Sequence, residues 1–292
     1  MGPTATRATV PANRHNGAVT EAHLNADHIS EDQAKRYAQH VAPTFMMLAK
    51  RAVELAEIEP GHSVLDACTG TGLAAFLAAE RAGREGSVIG LDAAPAMLAI
   101  ACERSAAVGY EHIHWQEGDA QQLSYADESF DSVLCVQALM LVPRPDAVLE
   151  EGRRVLVEGG RFVATLWGSR AGNEWTALLE DALRRTVPGT KPPTPFGLSQ
   201  PGNLEVLLQA TGYEEIEVLR VPDRMRFHNV EGFWDWCQAV SRWRGLLAGL
   251  PDDTRERFRA ALERDLDRRV RGGEVAIERE IVYARAVAPP ST

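Results

Sequence analysis

The chain has 292 residues, 45% of them apolar and 25% charged, and a net charge of −10. That is enough apolar chain for one large α/β domain with attached helices, and the acidic balance argues against a nucleic-acid partner, whose binding needs clustered Lys and Arg. The four cysteines, Cys68, Cys102, Cys135 and Cys237, form no CxxC pair or metal pattern and suit a reducing cytoplasm, and no secretory segment or apolar run of about 18 residues suggests a membrane.

Residues 1–29 are polar and without period, the composition of a disordered or loosely attached arm. Residues 30–58 predict two helices. Ser30 with Gln33 is a capping box that starts the first, to about His40, and Pro43 interrupts it. Thr44 is placed to cap the second, Phe45 to Ile58.

Strand–helix alternation follows. Short apolar runs predict strands at 63–67, 87–92, 112–116 and 130–136. Helices are expected at 73–82, at 95–108 with Pro95 in its first turn and Gly109 as its stop, and from Pro145 to about Leu156. Glu158-Gly159-Gly160 reads as a turn into a strand at 161–167. Repeated strand–helix units predict a doubly wound, mostly parallel sheet, with its core over 59–170.

Beyond residue 170 the pattern loosens. Asn173 can cap a helix to Val187, a Pro-rich loop KPPTPFG follows, and 204–210 is helical. Strands are expected at 214–221 and 278–287. Between them lies a helical insertion with Trp234, Trp236 and Trp243, whose last helix, 254–270, carries Phe258, Leu262, Leu266 and Val270 as one buried stripe. Residues 171–292 thus complete the sheet and supply a helical cap. The three tryptophans suit either an apolar acceptor pocket or packing within the cap.

Val64-Leu65-Asp66-Ala67-Cys68-Thr69-Gly70-Thr71-Gly72 is a strand that ends in a carboxylate and turns through small residues into a helix. Gly70 and Gly72 allow close backbone approach, and the helix N-terminus favours a ligand's negative end. Gly70-x-Gly72-x-x-Ala75 also satisfies the dinucleotide pattern, with Asp92 at the expected spacing. Asp66 separates the two: it would repel a pyrophosphate but tolerates a cationic, phosphate-free ligand.

Together with VIGLDAAPAML, EGDAQQLSYADESFDSVLC and LEEGRRVLVEGGRFVATLW, this segment resembles the class I S-adenosylmethionine-dependent methyltransferases. The flavour is that of the small-molecule branch similar to menaquinone and ubiquinone C-methyltransferases. The resemblance implies a seven-stranded sheet with its last strand antiparallel. It implies S-adenosylmethionine as cofactor and a small-molecule acceptor. Asp92 would then accept from the ribose hydroxyls and Asp119 from the adenine amine, with the Ala120 N–H donating to the ring. Asp66, Ala67 and Gly70 would line the methionine portion, Gln137 the sulfonium end, Ala93 and Met97 the adenosine. Tyr37 would close over the methionine end. The loop departs from the family's D-x-G-C-G-x-G: Ala67 and Thr69 are read as standing where two glycines are expected, with Cys68 between them.

His112 and His114 alternate on a strand away from its carboxyl end and read as structural. His40 and His228 are the candidates for a general base, if the acceptor needs one. Three other readings remain open: a cofactor-retaining cyclase of the same fold, a non-catalytic S-adenosylmethionine-binding protein, and an NAD-dependent oxidoreductase. Acceptor atom and oligomeric state are not encoded in these patterns.

Overall fold

The computed structural model describes residues 29–110, 112–193 and 196–290. The expected arm therefore lies outside the described residues, apart from Ile29.

The core is a sheet with helices on its faces. In chain order its elements are α1 (Glu31–Arg36), α2 (Met46–Leu55), β1 (Ser63–Ala67), α3 (Leu73–Ala82), β2 (Ser87–Asp92), α4 (Pro95–Val108), β3 (Ile113–Glu117), β4 (Phe130–Val136), α5 (Pro145–Val155), β5 (Leu156–Trp167), α6 (Glu174–Thr186), α7 (Asn203–Ala210), β6 (Glu214–Phe227), α8 (Val230–Ala239), α9 (Ser241–Ala248), α10 (Asp252–Leu266), β7 (Val270–Arg271) and β8 (Glu274–Val287). The strand order is β3-β2-β1-β4-β5-β8-β6, with β7 paired to β8 off that path. β1 pairs in parallel with both β2 and β4, whereas β8 runs antiparallel to β5 and to β6. The doubly wound sheet and its antiparallel last strand are as expected; β7 is an eighth, two-residue strand.

This order reverses direction at β1, the chain's starting point for both halves of the sheet. A crevice outside the carboxyl ends of the strands on either side of such a point is where ligands bind in open α/β sheets. Small residues bring the flanking helix close. Ala74, Ala75, Ala78, Ala79 and Ala82 of α3 are all buried and pack with Val64 and Val88 on one face of the sheet.

Several boundaries differ from the sequence reading. Between α1 and α2 the chain makes a π turn, Tyr37–Val41, and a 3-10 turn, Ala42–Phe45. The Thr44 hydroxyl donates back to the Val41 carbonyl at 2.7 Å and does not cap α2. Asn173 precedes α6 without capping it; its Oδ1 accepts from the Trp175 indole at 3.1 Å. Gly159 and Gly160 lie inside β5, because Gly159 N–H donates to the Ala288 carbonyl and Ala288 N–H to the Gly160 carbonyl. β6 and β8 extend beyond their expected ends into a long antiparallel pair, Glu214↔Val287 to Phe227↔Val275. Of the expected stripe on the last cap helix, Phe258, Leu262 and Leu266 are buried on α10, while Val270 belongs to β7.

The cap tryptophans divide. Trp234 and Trp243 both face Phe258, at 6.2 and 6.4 Å between ring centroids, and form the cap's own core. Trp236 instead meets Trp167 at the end of β5 and Trp175 of α6, at 6.3 and 5.4 Å. It joins cap to core.

Candidate active site

A cavity of about 370 Å³, open solvent at its mouth included, lies at the carboxyl end of β1. It is lined by Tyr37, Ala42, Phe45, Asp66, Cys68, Thr69, Gly70, Thr71, Leu73, Ala74 and Val136. The β1–α3 loop forms its floor. Loop shape is fixed from two sides: Thr69 N–H donates to the Leu91 carbonyl at 2.9 Å, and Gly70 N–H donates to Asp92 Oδ2 at 2.7 Å.

Left-handed conformations fall at Cys68, Gly70 and Gly72, with φ of +61°, +57° and +84°. Ala67 is the last residue of β1 and Thr69 lies outside the left-handed region. The expected glycine substitutions at Ala67 and Thr69 are therefore corrected to a single one, at Cys68. Counted from Asp66, the first glycine of D-x-G-C-G-x-G falls on that residue. A side chain at such φ is strained; burial and the neighbouring Cys135 thiol on β4 raise the pKa of the Cys68 thiol that carries it. Gly70 faces open space on the side where a Cβ would project.

Asp66 is 1% exposed. Its Oδ2 accepts from the Thr69 hydroxyl at 2.6 Å and the Ala75 N–H at 2.9 Å, whereas Oδ1 has no partner. Burial pushes its pKa up to about 7, against the lowering effect of the two donors. Asp92 sits at the end of β2, its Oδ1 accepting from Ala94 N–H at 2.9 Å; burial raises its pKa despite the amides of Ala94, Gly70 and Ala93. The Tyr37 phenol is raised above its ordinary value by burial, and further by Asp92 and Asp66. One carboxylate, Asp66, and a phenol thus line a cavity that contains no Lys or Arg, and a second carboxylate, Asp92, lies behind its loop on the Gly70 amide. A pyrophosphate does not suit that charge. A ligand with a cationic end and no phosphate does, and the orphaned Asp66 Oδ1 is the atom that lacks a donor.

The other expected site residues are distributed as follows. Met97 is buried with Ala34 and Ala94, and Tyr37 packs against that cluster, so α4 and α1 brace the tyrosine. Asp119 is exposed, its Oδ1 accepting from the Gln121 N–H at 2.9 Å, while Ala120 beside it is buried. Gln137 follows β4 with φ of +56° and is buried; its Nε2 donates to the Thr165 hydroxyl at 3.4 Å and its Oε1 is unpartnered. His40 is not in the cavity lining; its Nδ1 lies 3.9 Å from Asp235 Oδ2 on α8, joining the π turn to the cap. His228 is exposed just before α8. His112 contacts the Ala79 carbonyl at 3.3 Å and His114 is exposed, consistent with structural roles.

Phe45 and Ala42, missed in the sequence, enter the lining because the turns after α1 fold them over the loop. Phe45 meets Trp167 edge-on at 5.6 Å. Its position after Pro43 in an irregular segment was the only signal available.

Residues 58–187 match a family model described as a methyltransferase domain. This methyltransferase domain, together with the relatives that follow, supports a class I S-adenosylmethionine-dependent methyltransferase. It is 27% identical over 264 residues to nocamycin O-methyltransferase of Saccharothrix syringae, covering 85% of this chain and 92% of that protein. It is 42% identical over 110 residues to the 2-phytyl-1,4-naphtoquinone methyltransferase of Thermosynechococcus vestitus. That match takes in 38% of this chain, and spans only 48% of the relative. Among solved structures, phosphoethanolamine N-methyltransferase 2 of Haemonchus contortus, in complex with S-adenosyl-L-methionine, superposes with a TM-score of 0.57 at 19% identity, over 94% of this chain and 61% of that one. At that identity the likeness is one of fold. The family's cofactor, S-adenosylmethionine, is a phosphate-free cation, the charge type that the cavity of this methyltransferase accommodates.

Proposed function

We propose that this chain transfers the methyl group of S-adenosylmethionine to a small-molecule acceptor held between the β1–α3 loop and the cap. The observation that carries the reading is the acidic cavity at the ends of β1 and β2: Asp66 with an unpartnered oxygen, Asp92 on the loop amide, and no basic lining residue. In this reading Asp66, Ala67 and Gly70 take the methionine end, with Tyr37 closing over it. Asp92 takes the ribose, Ala93 and Met97 flank the adenosine, and Asp119 with the Ala120 amide takes the adenine. Gln137 stands toward the sulfonium. Support for Asp119 is weakest, since its carboxylate already serves the Gln121 amide.

The bound cofactor supplies a methyl group on a positively charged sulfur, which leaves as a neutral sulfide. The chain's task is then alignment and exclusion of water rather than stabilisation of an anion. Phe45, Ala42 and Leu73 give the cavity apolar walls, and Trp236 closes the cap on Trp167. His40, tied to Asp235 and outside the lining, is not assigned a proton-transfer role.

No helix among the described residues is long and apolar enough to cross a membrane, and we read the chain as cytoplasmic. Calorimetric titration with S-adenosylhomocysteine, followed by detection of that product on incubation with S-adenosylmethionine and a panel of phenols, quinols and carboxylic acids, tests the proposal. Binding with product formation is expected. Binding of NAD(H) in place of S-adenosylhomocysteine would reject it.

A further inference from the structure

Two buried donors without partners lie on the aromatic wall beside the cavity. Arg279 of β8 is 4% exposed, and its guanidinium lies 5.9 Å from the centroid of Trp167. Its Nε donates to Asp223 Oδ2 at 2.7 Å, and its Nη2 lies 2.6 Å from the same oxygen and donates to the Thr44 carbonyl at 2.7 Å. Nη1 has no partner. Trp236, fully buried against the same Trp167, also leaves its indole Nε1 without a partner.

A structural clamp accounts for part of this. Arg279 ties the turn that carries Phe45 to the β6–β8 pair through Thr44 and Asp223. That role uses Nε and Nη2 and leaves Nη1 unexplained, along with the Trp236 donor. Buried polar hydrogens are costly to leave unpaired, and a buried guanidinium more so. Burial lowers the Arg279 pKa even beside Asp223. Both donors border Trp167, and Phe45, which also packs on that ring, lines the cofactor cavity. An acceptor lying against that wall would have one end near the cofactor and the other near two N–H groups that want an oxygen.

We infer that the wall formed by Phe45, Trp167 and Trp236 takes a flat apolar acceptor bearing an oxyanion, which receives the Arg279 Nη1–H and the Trp236 Nε1–H. Entry requires α8 to part from Trp167, since Trp236 now closes it. The inference rests on the proposed acceptor-methylating function and narrows its substrate class. Asp223, one third exposed, is the competing anion for the guanidinium.

The test uses the full chain saturated with S-adenosylhomocysteine, with 2-naphthoate and the neutral 2-naphthalenemethanol as calorimetric probes. Naphthoate is expected to bind about tenfold or more tightly than the alcohol, the scale of one charge-assisted hydrogen bond. Arg279→Gln and Trp236→Phe should shrink that preference, and Asp223→Asn should enlarge it. Should Arg279→Gln fail to fold, Trp236→Phe and Asp223→Asn read the same preference with the guanidinium in place. Equal binding of the two probes, or a preference unmoved by these variants, overturns the inference. Titration with S-adenosylhomocysteine on the same samples separates this from the cofactor reading: loss of that binding in the parent chain rejects the proposed function, whereas its retention with no naphthoate preference rejects only the oxyanion wall.

Discussion

The Gly70 amide donates to Asp92 Oδ2 at 2.7 Å, so the acid that ends β2 also holds the loop that leaves β1. Its other oxygen accepts from Ala94 N–H and fixes the entry to α4. Asp92 therefore shapes both sides of the proposed ribose site, and its remaining lone pairs are free for hydroxyl donors. Asp92→Ala is expected to weaken S-adenosylhomocysteine binding about 100-fold, the loss of two hydrogen bonds to a charged acceptor. Asp92→Asn, which keeps one carbonyl oxygen, should cost about tenfold. Calorimetry reads both, and unchanged affinity in Asp92→Ala would remove Asp92 from the site.

Gly90 and Trp115 face each other on β2 and β3. A Cβ at Gly90 would stand 2.4 and 2.5 Å from Trp115 Cζ3 and Cε3, and 3.2 Å from the Thr69 methyl of the cofactor loop. The indole is also the nearest neighbour of Gly72, where a Cβ would meet it at 2.5 Å. Gly90→Ala should therefore destabilise the chain by about 1–3 kcal/mol through overpacking and displace the loop. In a Trp115→Leu background the same substitution should cost less than about 1 kcal/mol, because the flat ring that it strikes is gone. Urea denaturation of the four proteins measures this coupling, and an additive result would contradict it.

Much of the site was legible because its acids are local to strand ends. Asp66 and Asp92 follow short apolar runs, and the strand order then brings them together. Boundaries failed where long-range pairing overrode a local signal. Gly159-Gly160 looked like a turn, but two hydrogen bonds with Ala288 hold the pair in the sheet. The strand expected at 214–221 stops short of Pro222, yet β6 continues through it as an edge strand, where a missing N–H costs no ladder bond. The left-handed residue of the loop was misplaced because glycine was the only guide to φ > 0 and Cys68 occupies the position. The Arg279 wall was invisible, since it depends on a contact between Thr44 and a strand 235 residues away.

Cys68 is the loop position where residue type and backbone disagree. At φ +61° a β-carbon is strained, which glycine would relieve at the cost of a more flexible unfolded chain. Cys68→Gly is expected to stabilise the fold slightly, by about 0.5–1 kcal/mol, without loss of S-adenosylhomocysteine affinity. Cys68→Val, β-branched at the same φ, should destabilise by about 1–3 kcal/mol. Thermal denaturation with and without ligand checks the pair, and a less stable glycine variant would show that the thiol contact with Cys135 outweighs the strain.

Asp66 couples the site to pH. In the ligand-free protein its carboxyl titrates at about 7, because burial outweighs the Thr69 hydroxyl and the Ala75 amide. An ammonium beside Oδ1 favours the ionised form, so in the complex the pKa falls and binding expels a proton when the pH is near or below 7. Affinity for S-adenosylhomocysteine should therefore be flat above about pH 8 and fall by up to tenfold per pH unit below about 7. Stability of the ligand-free chain runs the other way. The folded carboxyl has the higher pKa, so the folded state holds a proton that the unfolded state releases between about pH 4 and 7. Within that window the Asp66 contribution lowers stability as pH rises, by about 4 kcal/mol once the group is fully ionised. Calorimetry at pH 6.5 in buffers of different ionisation enthalpy should count up to one proton released per ligand. Asp66→Asn should abolish that release and flatten the pH dependence while weakening binding. Proton release equal in parent and variant would mean that a different group senses the ligand's charge.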